Sequence, residues 1–206
     1  MQAVVFDVGR VLIEWDVYHL YRKLLADDGA IKAFLDEVDF FAWNLECDRG
    51  TSFADAVSDL TARFPHHKAL IEAFDARWPE TVPGPIEGTV AILKTLKDNG
   101  VPLYAITNFS SEKWRLTRDR FDFLATSFID VVVSGDEKMI KPDAEIFELF
   151  LGRNSLRAGD CLFIDDSTAN VAGAKAVGLD ALMFKDPTSL ASELVERGLL
   201  SRHAAE

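Results

Sequence analysis

Five short apolar runs recur along the chain, and between them apolar positions return at three- and four-residue spacing. The runs cover residues 2–8, built on Ala3-Val4-Val5-Phe6, then 101–107, 129–134, 160–165 and 180–184. Unbroken apolar runs of this length mark strands buried on both faces, and helices between them make parallel crossover units. Helical spacing predicts helices over 87–99, 111–121, 143–153, 168–177 and 188–197. Gly100 and Gly178 follow the first and fourth of these as C′ residues. The fold class is α/β with a parallel sheet.

The rhythm changes after Ile13. As far as Pro85 the chain offers no buried strand, only helical stripes. One is Tyr18, Leu20, Tyr21, Leu24 and Leu25, and the next is Ile31, Phe34, Leu35 and Val38. A third carries Phe53, Ala56, Val57, Leu60 and Phe64 behind a cap at Thr51 or Ser52, and a fourth covers 68–78. Pro83-Gly84-Pro85 closes the stretch. The expected organisation is a discontinuous α/β core, residues 1–14 and 86–206, interrupted by an all-helical cap over 15–85. Trp15, Trp43, Asn44, Glu46, Asp48 and Arg49 are expected near the hinge of this insert or in its first helix–helix loop, facing the site.

Hydrophobic residues make up 49% of the chain, enough for a full core, and no apolar run approaches a membrane span. The N-terminus leads directly into a strand without the basic start and long apolar region of a signal peptide, so a cytoplasmic location is expected. The net charge of −12 argues against nucleic acid or an anionic membrane as partner. It leaves room for a phosphorylated small molecule, because a local cation inverts the field of a site. Cys47 and Cys161 stand alone, far apart, without metal-ligand or redox spacing, and Cys161 falls inside an apolar run as a core residue.

Four polar signals sit at the ends of four of the runs. Asp7 follows Phe6, Thr107-Asn108 follow Ile106, Lys141-Pro142 come after Val131-Val132-Val133, and Asp165-Asp166 end Cys161-Leu162-Phe163-Ile164. In a parallel sheet the carboxyl ends of the strands share one edge, where ligands bind. Each signal alone has an ordinary reading as a turn, a cap or a solvated charge; their convergence is what points to chemistry. A carboxylate at Asp7 can attack phosphorus and divide hydrolysis into two easier steps. Thr107 and the N–H groups after it, including that of Asn108, can bind phosphate oxygens at a helix start. Lys141, set by Pro142 ahead of a helix capped by Asp143, can neutralise both nucleophile and phosphoryl group, with Lys138 as a competitor. Asp165 and Asp166 repel one another and call for a hard cation, which Mg²⁺ is. Three carboxylates, one lysine and one Mg²⁺ balance in charge.

Phe6-Asp7-Val8-Gly9-Arg10-Val11-Leu12, Ile106-Thr107-Asn108, Lys141-Pro142-Asp143 and Phe163-Ile164-Asp165-Asp166-Ser167, with Asn170 and Gly173-Ala174, resemble in order the four motifs of the haloacid dehalogenase-like hydrolase superfamily. The resemblance spans the core and places the helical insert where that superfamily often has its cap. It implies a Rossmann-like sheet with helices on both faces, Mg²⁺ dependence and phosphatase activity. By position it makes Asp7 both nucleophile and metal ligand, Thr107 and Lys141 phosphate binders, and Asp166 with Asp165 the metal carboxylates, while Asn170 orients the metal's surroundings. Gly9 would offer its backbone carbonyl to the metal.

Gly9 is also the main departure. Phosphatases of the superfamily commonly carry an acid there that protonates the leaving group, a service typically worth about 10²–10⁴ in rate. Arg10 replaces a usual glycine and Val11 a frequent threonine. Some sugar-phosphate phosphatases share the glycine at the Gly9 position, and a mix of aromatic and polar cap residues suits a sugar or another polar substrate. Gly9, Arg10, Trp15, Trp43 and Asn108 are therefore expected on the substrate side. A replacement acid would come from the cap, with Asp16, Glu46 and Asp48 as candidates. Two other readings stay open: a dehalogenase in which Asp7 attacks carbon, and an inactive ligand-binding or interaction protein.

Overall fold

Every residue of Ala3–Phe6 is buried, as a strand with neighbours on both edges and layers on both faces requires. The computed structural model describes residues 2–201. Its sheet holds five parallel strands, β1 (Ala3–Phe6), β2 (Leu103–Thr107), β3 (Asp130–Val133), β4 (Cys161–Asp165) and β5 (Asp180–Met183), in the order β3-β2-β1-β4-β5. β1 lies at the centre, with Val4 opposite Leu103 on one side and Leu162 on the other. The chain builds outward from β1 through β2 to β3, then crosses back to place β4 on the other side of β1 and β5 beyond it. The carboxyl ends of β1 and β4 therefore flank a topological switch point, where α/β sheets open a crevice. This is the Rossmann-like α/β fold.

Alternate residues of each strand feed two cores. Val5, Ile106, Val132 and Phe163 pack with Ile146, Phe147 and Phe150 of a helix over Ala144–Asn154 and with Ala174 of one over Thr168–Ala176. Val4, Phe6, Ala105 and Ile164 join the other face, with Leu93 of the helix Glu87–Asp98 and Leu194 of the helix Pro187–Glu196. The strand and helix ends lie within two residues of the predicted ones, and Gly100 and Gly178 have positive φ, as C′ residues do.

Between β1 and the helix beginning at Glu87 come α1 (Tyr18–Tyr21), α2 (Asp28–Glu37), α3 (Phe40–Asp48), α4 (Phe53–Arg63) and α5 (Lys68–Ala76), then a 3₁₀ turn over Trp78–Thr81. The α4 cap is Ser52, whose hydroxyl accepts from Asp55 N. Edge-to-face aromatic contacts hold this layer together: Phe40 meets Phe74 at 4.8 Å, and Tyr21 meets Phe34 at 5.0 Å. The incoming and outgoing connections run side by side, with Glu14 N donating to Gly84 O at 2.9 Å and an antiparallel bridge from Ile13 to Pro85.

Two predictions for this segment differ from what is seen. The stripe from Tyr18 to Leu25 makes only one helical turn. The stretch read as a loop is α3, a helix in its own right. Apolar residues surround the α3 axis, with Phe41 exposed and Phe40, Trp43 and Cys47 buried, so no one-sided stripe announces it. Among the described residues, no helix is long and apolar enough to cross a membrane.

Candidate active site

Asp7 is the first residue beyond β1, and its N–H still donates to Ile164 O of β4 at 2.8 Å as the side chain leaves the sheet edge. Lys141 reaches the same point from the loop before the Ala144–Asn154 helix. Its ammonium lies 2.7 Å from Asp7 Oδ1 and 2.7 Å from Asp165 Oδ2, and the residue is only 2% exposed. Burial disfavours the lysine's charge, but the fields and hydrogen bonds of Asp7 and Asp165 outweigh it, and its pKa rises. The competitor Lys138 is exposed, in a left-handed turn.

Two neighbours fix this lysine. Asn108 holds its backbone in a two-way clasp: Asn108 Oδ1 accepts from Lys141 N at 2.8 Å, and Asn108 Nδ2 donates to Lys141 O at 2.9 Å. Gly173 lets the helix Thr168–Ala176 press against the loop, since a Cβ there would lie 2.4 Å from Pro142 O. The Asn108 side chain thus serves Lys141, a role its sequence position does not reveal.

The two motif acids have separate duties. Asp165 is fully buried, with Oδ1 accepting from Ser167 N (2.8 Å) and Asn170 Nδ2 (3.0 Å), and Oδ2 from Lys141. Its oxygens are occupied within the protein. Asp166 is only partly buried and lines the cavity beside Asp7. Carboxylate oxygens of Asp7, Asp165 and Asp166 all lie within 4.8 Å of one another. Burial pushes the Asp7 carboxyl up; Asp165 and Asp166 add to this, and Lys141 opposes it. Asp166 is raised as well, by burial and by Asp165. Three acids against one lysine leave an excess of negative charge among oxygen donors, which fits a hard divalent cation such as Mg²⁺.

Thr107 ends β2, and its buried Oγ1 has no hydrogen-bond partner, an orphan that phosphate would satisfy. Behind it Ser110 caps the helix Ser111–Arg120, accepting from Lys113 N.

A cavity of about 270 Å³ opens over Asp7, Lys141 and Asp166, while Thr107 and Asp165 lie buried beneath its lining. Asp7, Gly9, Arg10, Asn108, Lys141 and Asp166 line it from the core. Arg10 has φ 60°, the left-handed region where glycine is at ease, and its guanidinium lies 5.5 Å from the centre of the Trp15 ring. Trp15, Phe41, Leu45, Trp78 and Phe109 form apolar walls. Trp43 is not among the lining residues. It is 8% exposed inside the helical layer, where its indole N–H donates to Ala56 O at 3.0 Å. Trp78 takes the place expected for it and had no distinguishing signal in the sequence.

Of the three acids expected as proton donors, Asp48 alone reaches the cavity. Asp16 accepts from Tyr18 N at 2.9 Å, and Glu46 faces Arg49 at 3.8 Å. Asp48 ends α3 and is tied to the core from both sides. Its carbonyl accepts from Ser134 Oγ at 2.6 Å, and its carboxylate accepts from Asn44 Nδ2 at 3.1 Å and faces the N–H of Ser110. Burial pushes its carboxyl up to about 7; the Ser110 N–H opposes this, Asp7 adds to it and Lys141 opposes it.

Comparison with known proteins agrees with this geometry. The family model of the haloacid dehalogenase-like hydrolases matches residues 1–178. A sesquiterpene phosphatase of Aspergillus oryzae is 27% identical over 198 residues, 94% of either chain. A ribulose-1,5-bisphosphate 5-phosphatase of Halopiger xanaduensis is 33% identical over 116 residues, 54% of this chain and 47% of that one. A haloacid dehalogenase-family enzyme of Bacteroides thetaiotaomicron, solved as a magnesium complex, shares the fold with a TM-score of 0.72 at 20% identity, over 90% of this chain and 94% of that one.

Proposed function

The chain belongs to the haloacid dehalogenase-like hydrolases, and from that membership we propose that it is a Mg²⁺-dependent phosphomonoesterase acting through an aspartyl-phosphate on Asp7. The observation that carries the reading is the ammonium of Lys141 held 2.7 Å from both Asp7 and Asp165 beside Asp166. Asp7 attacks phosphorus, and the alcohol leaves on the cap side. Lys141 and the Thr107 hydroxyl hold the phosphoryl oxygens, and water then releases phosphate from Asp7. Asp7, Asp166 and the Gly9 carbonyl would hold Mg²⁺, with Asp165 fixing Lys141 and the turn to Ser167. When bound, Mg²⁺ supplies the positive charge that screens the incoming phosphate from the acids. A dehalogenase acting on an anionic haloacid would gain nothing from this excess of carboxylates. An inactive binding protein would have no use for a nucleophile, a lysine and paired acids kept together.

The walls bear on the leaving group. Trp15, Phe41, Leu45, Trp78 and Phe109 are apolar or aromatic, and Asn44 and Asp48 are the polar side chains the cap adds. A buried hydroxyl without a partner costs roughly 1–3 kcal/mol. Such walls suit an apolar or aromatic alcohol better than the sugar expected from the motifs. The names of the relatives include both kinds of substrate.

The test is hydrolysis of p-nitrophenyl phosphate with and without Mg²⁺, followed by an isoprenyl monophosphate against a hexose phosphate. Metal-dependent turnover lost in Asp7→Asn supports the enzyme reading, and a higher kcat/KM for the isoprenyl ester supports the walls. Turnover that survives Asp7→Asn would sink the mechanism.

A further inference from the structure

We propose that Asp48, presented by the last turn of α3, protonates the leaving alcohol and then takes a proton from the hydrolytic water. This rests on the phosphatase reading and adds to it the acid that the Asp7 turn lacks at Gly9.

Placement carries the argument. Core and cap side chains share one cavity, and Asp48 is the carboxylate that lines it from the cap. In-line attack by Asp7 places the leaving oxygen on the side of phosphorus away from Asp7, and Trp15, Phe41, Asn44, Leu45, Asp48 and Trp78 of the helical segment line the cavity that Asp7 opens into. Asp48 is also held in place. Ser134 Oγ donates to its carbonyl at 2.6 Å and accepts from Phe109 N at 2.8 Å, so the backbone of Asp48 is tied to the loop that follows Thr107. Asn44 donates to one carboxylate oxygen from one turn earlier. A general acid has to be fixed relative to the atom it serves, and these bonds fix Asp48 to the phosphate-binding loop rather than to the cap alone.

The surroundings suit proton exchange near neutrality. The groups facing the carboxyl are Asp7 from the β1 end, Lys141 from the loop before the Ala144–Asn154 helix, the Ser110 N–H from the start of Ser111–Arg120, and Asn44 on α3 itself. Arg10 and Asp166 line the same cavity. Partial burial dominates and raises the carboxyl, so a protonated fraction is present at neutral pH.

The step balances. An Asp7 oxygen bonds to phosphorus as the phosphorus–alcohol bond breaks. The departing oxygen takes the Asp48 proton, giving free alcohol and an Asp48 carboxylate. Water then attacks the same phosphorus and gives one proton to Asp48. The phosphorus–Asp7 bond breaks, hydrogen phosphate leaves, and both aspartates return to their starting forms.

The experiment compares Asp48→Asn with the Mg²⁺-loaded wild type on p-nitrophenyl phosphate and on a simple alkyl phosphate. The alkyl ester needs an acid and the nitrophenyl ester does not. Loss of about 10²–10⁴ in kcat/KM for the alkyl ester, with nitrophenyl kcat/KM kept within a few-fold, is expected. For the nitrophenyl ester kcat and KM should fall together, because the hydrolytic step has lost its base. Equal losses in kcat/KM on both esters, or an unchanged alkyl ester, would overturn the assignment. An independent reading uses wild type alone: alkyl-ester kcat/KM should decline as pH rises and the acid loses its proton while the nitrophenyl value does not, and matching profiles would overturn it. A wild type inactive on the nitrophenyl ester would overturn the phosphatase reading itself, and this proposal with it.

Discussion

Replacing Asp48 by asparagine should stabilise the protein by an amount that grows with pH. The folded carboxyl sits at about 7, against 3.8 when unperturbed. Between those values the folded chain holds a proton that the unfolded chain has released. Stability of the wild type therefore falls as pH rises through this window, by about 1.4 kcal/mol per pH unit. Over the roughly three units involved, the loss reaches ~4 kcal/mol by pH 8. Water reaching the carboxyl through the cavity makes that an upper bound, since Asp48 is only partly buried. Asparagine carries no titrating proton and keeps an oxygen for the Ser110 N–H, with the Asn44 amide turned over to face it. The advantage of the variant should be small near pH 4, grow to pH 7 and then level off. In a chain of this size 1 kcal/mol moves Tm by roughly 2–4 °C, so a shift of up to ~16 °C is available at pH 8. Urea unfolding of both proteins at pH 4.5, 6 and 8, without metal, measures it. A difference that does not change with pH, or an asparagine variant less stable at every pH, would refute the reasoning.

Two further substitutions probe the floor of the site. Lys141→Met leaves Asp7 and Asp165 facing each other without their shared cation, and breaking such a buried pair costs about 3–5 kcal/mol; urea unfolding at pH 8 should show that loss together with no turnover, and a loss under ~1 kcal/mol would contradict the geometry. Gly173→Ala puts a Cβ 2.4 Å from Pro142 O and 2.9 Å from Pro142 Cβ. The resulting overpacking should cost about 1–3 kcal/mol and displace Lys141, lowering kcat. Gly152→Ala has nothing within 4 Å and should be neutral or gain up to ~1 kcal/mol in thermal unfolding.

The floor of the site was legible because Asp7, Thr107 and Asp165 stand at the ends of apolar runs, and parallel pairing brings such ends to one edge, with Lys141 returning to it from the loop ahead of the Ala144–Asn154 helix. Asp7 and Asp165 meet at Lys141 for that reason. Legibility failed where a role depends on a partner distant in sequence. Asn108 clasps the backbone of Lys141, and nothing in an Asn after a Thr signals that. It failed again on α3, whose apolar residues surround the axis and give no stripe. With α3 unread, Trp43 is expected at the substrate, Trp78 carries no signal, and Asp16, Glu46 and Asp48 are equivalent acids. Packing separates them: Trp43 turns inward to Ala56, and Asp48 alone stands at the helix end that Ser134 ties beside the phosphate-binding loop.

The central claim is that Asp7 accepts the phosphoryl group. Acid quenching of a single turnover with a radiolabelled phosphate monoester and Mg²⁺ tests it directly. The wild-type protein should carry label, released by hydroxylamine as an acyl phosphate is, and Asp7→Asn should carry none. Steady release of phosphate with no labelled protein at any quench time, or label that persists in Asp7→Asn, would contradict it.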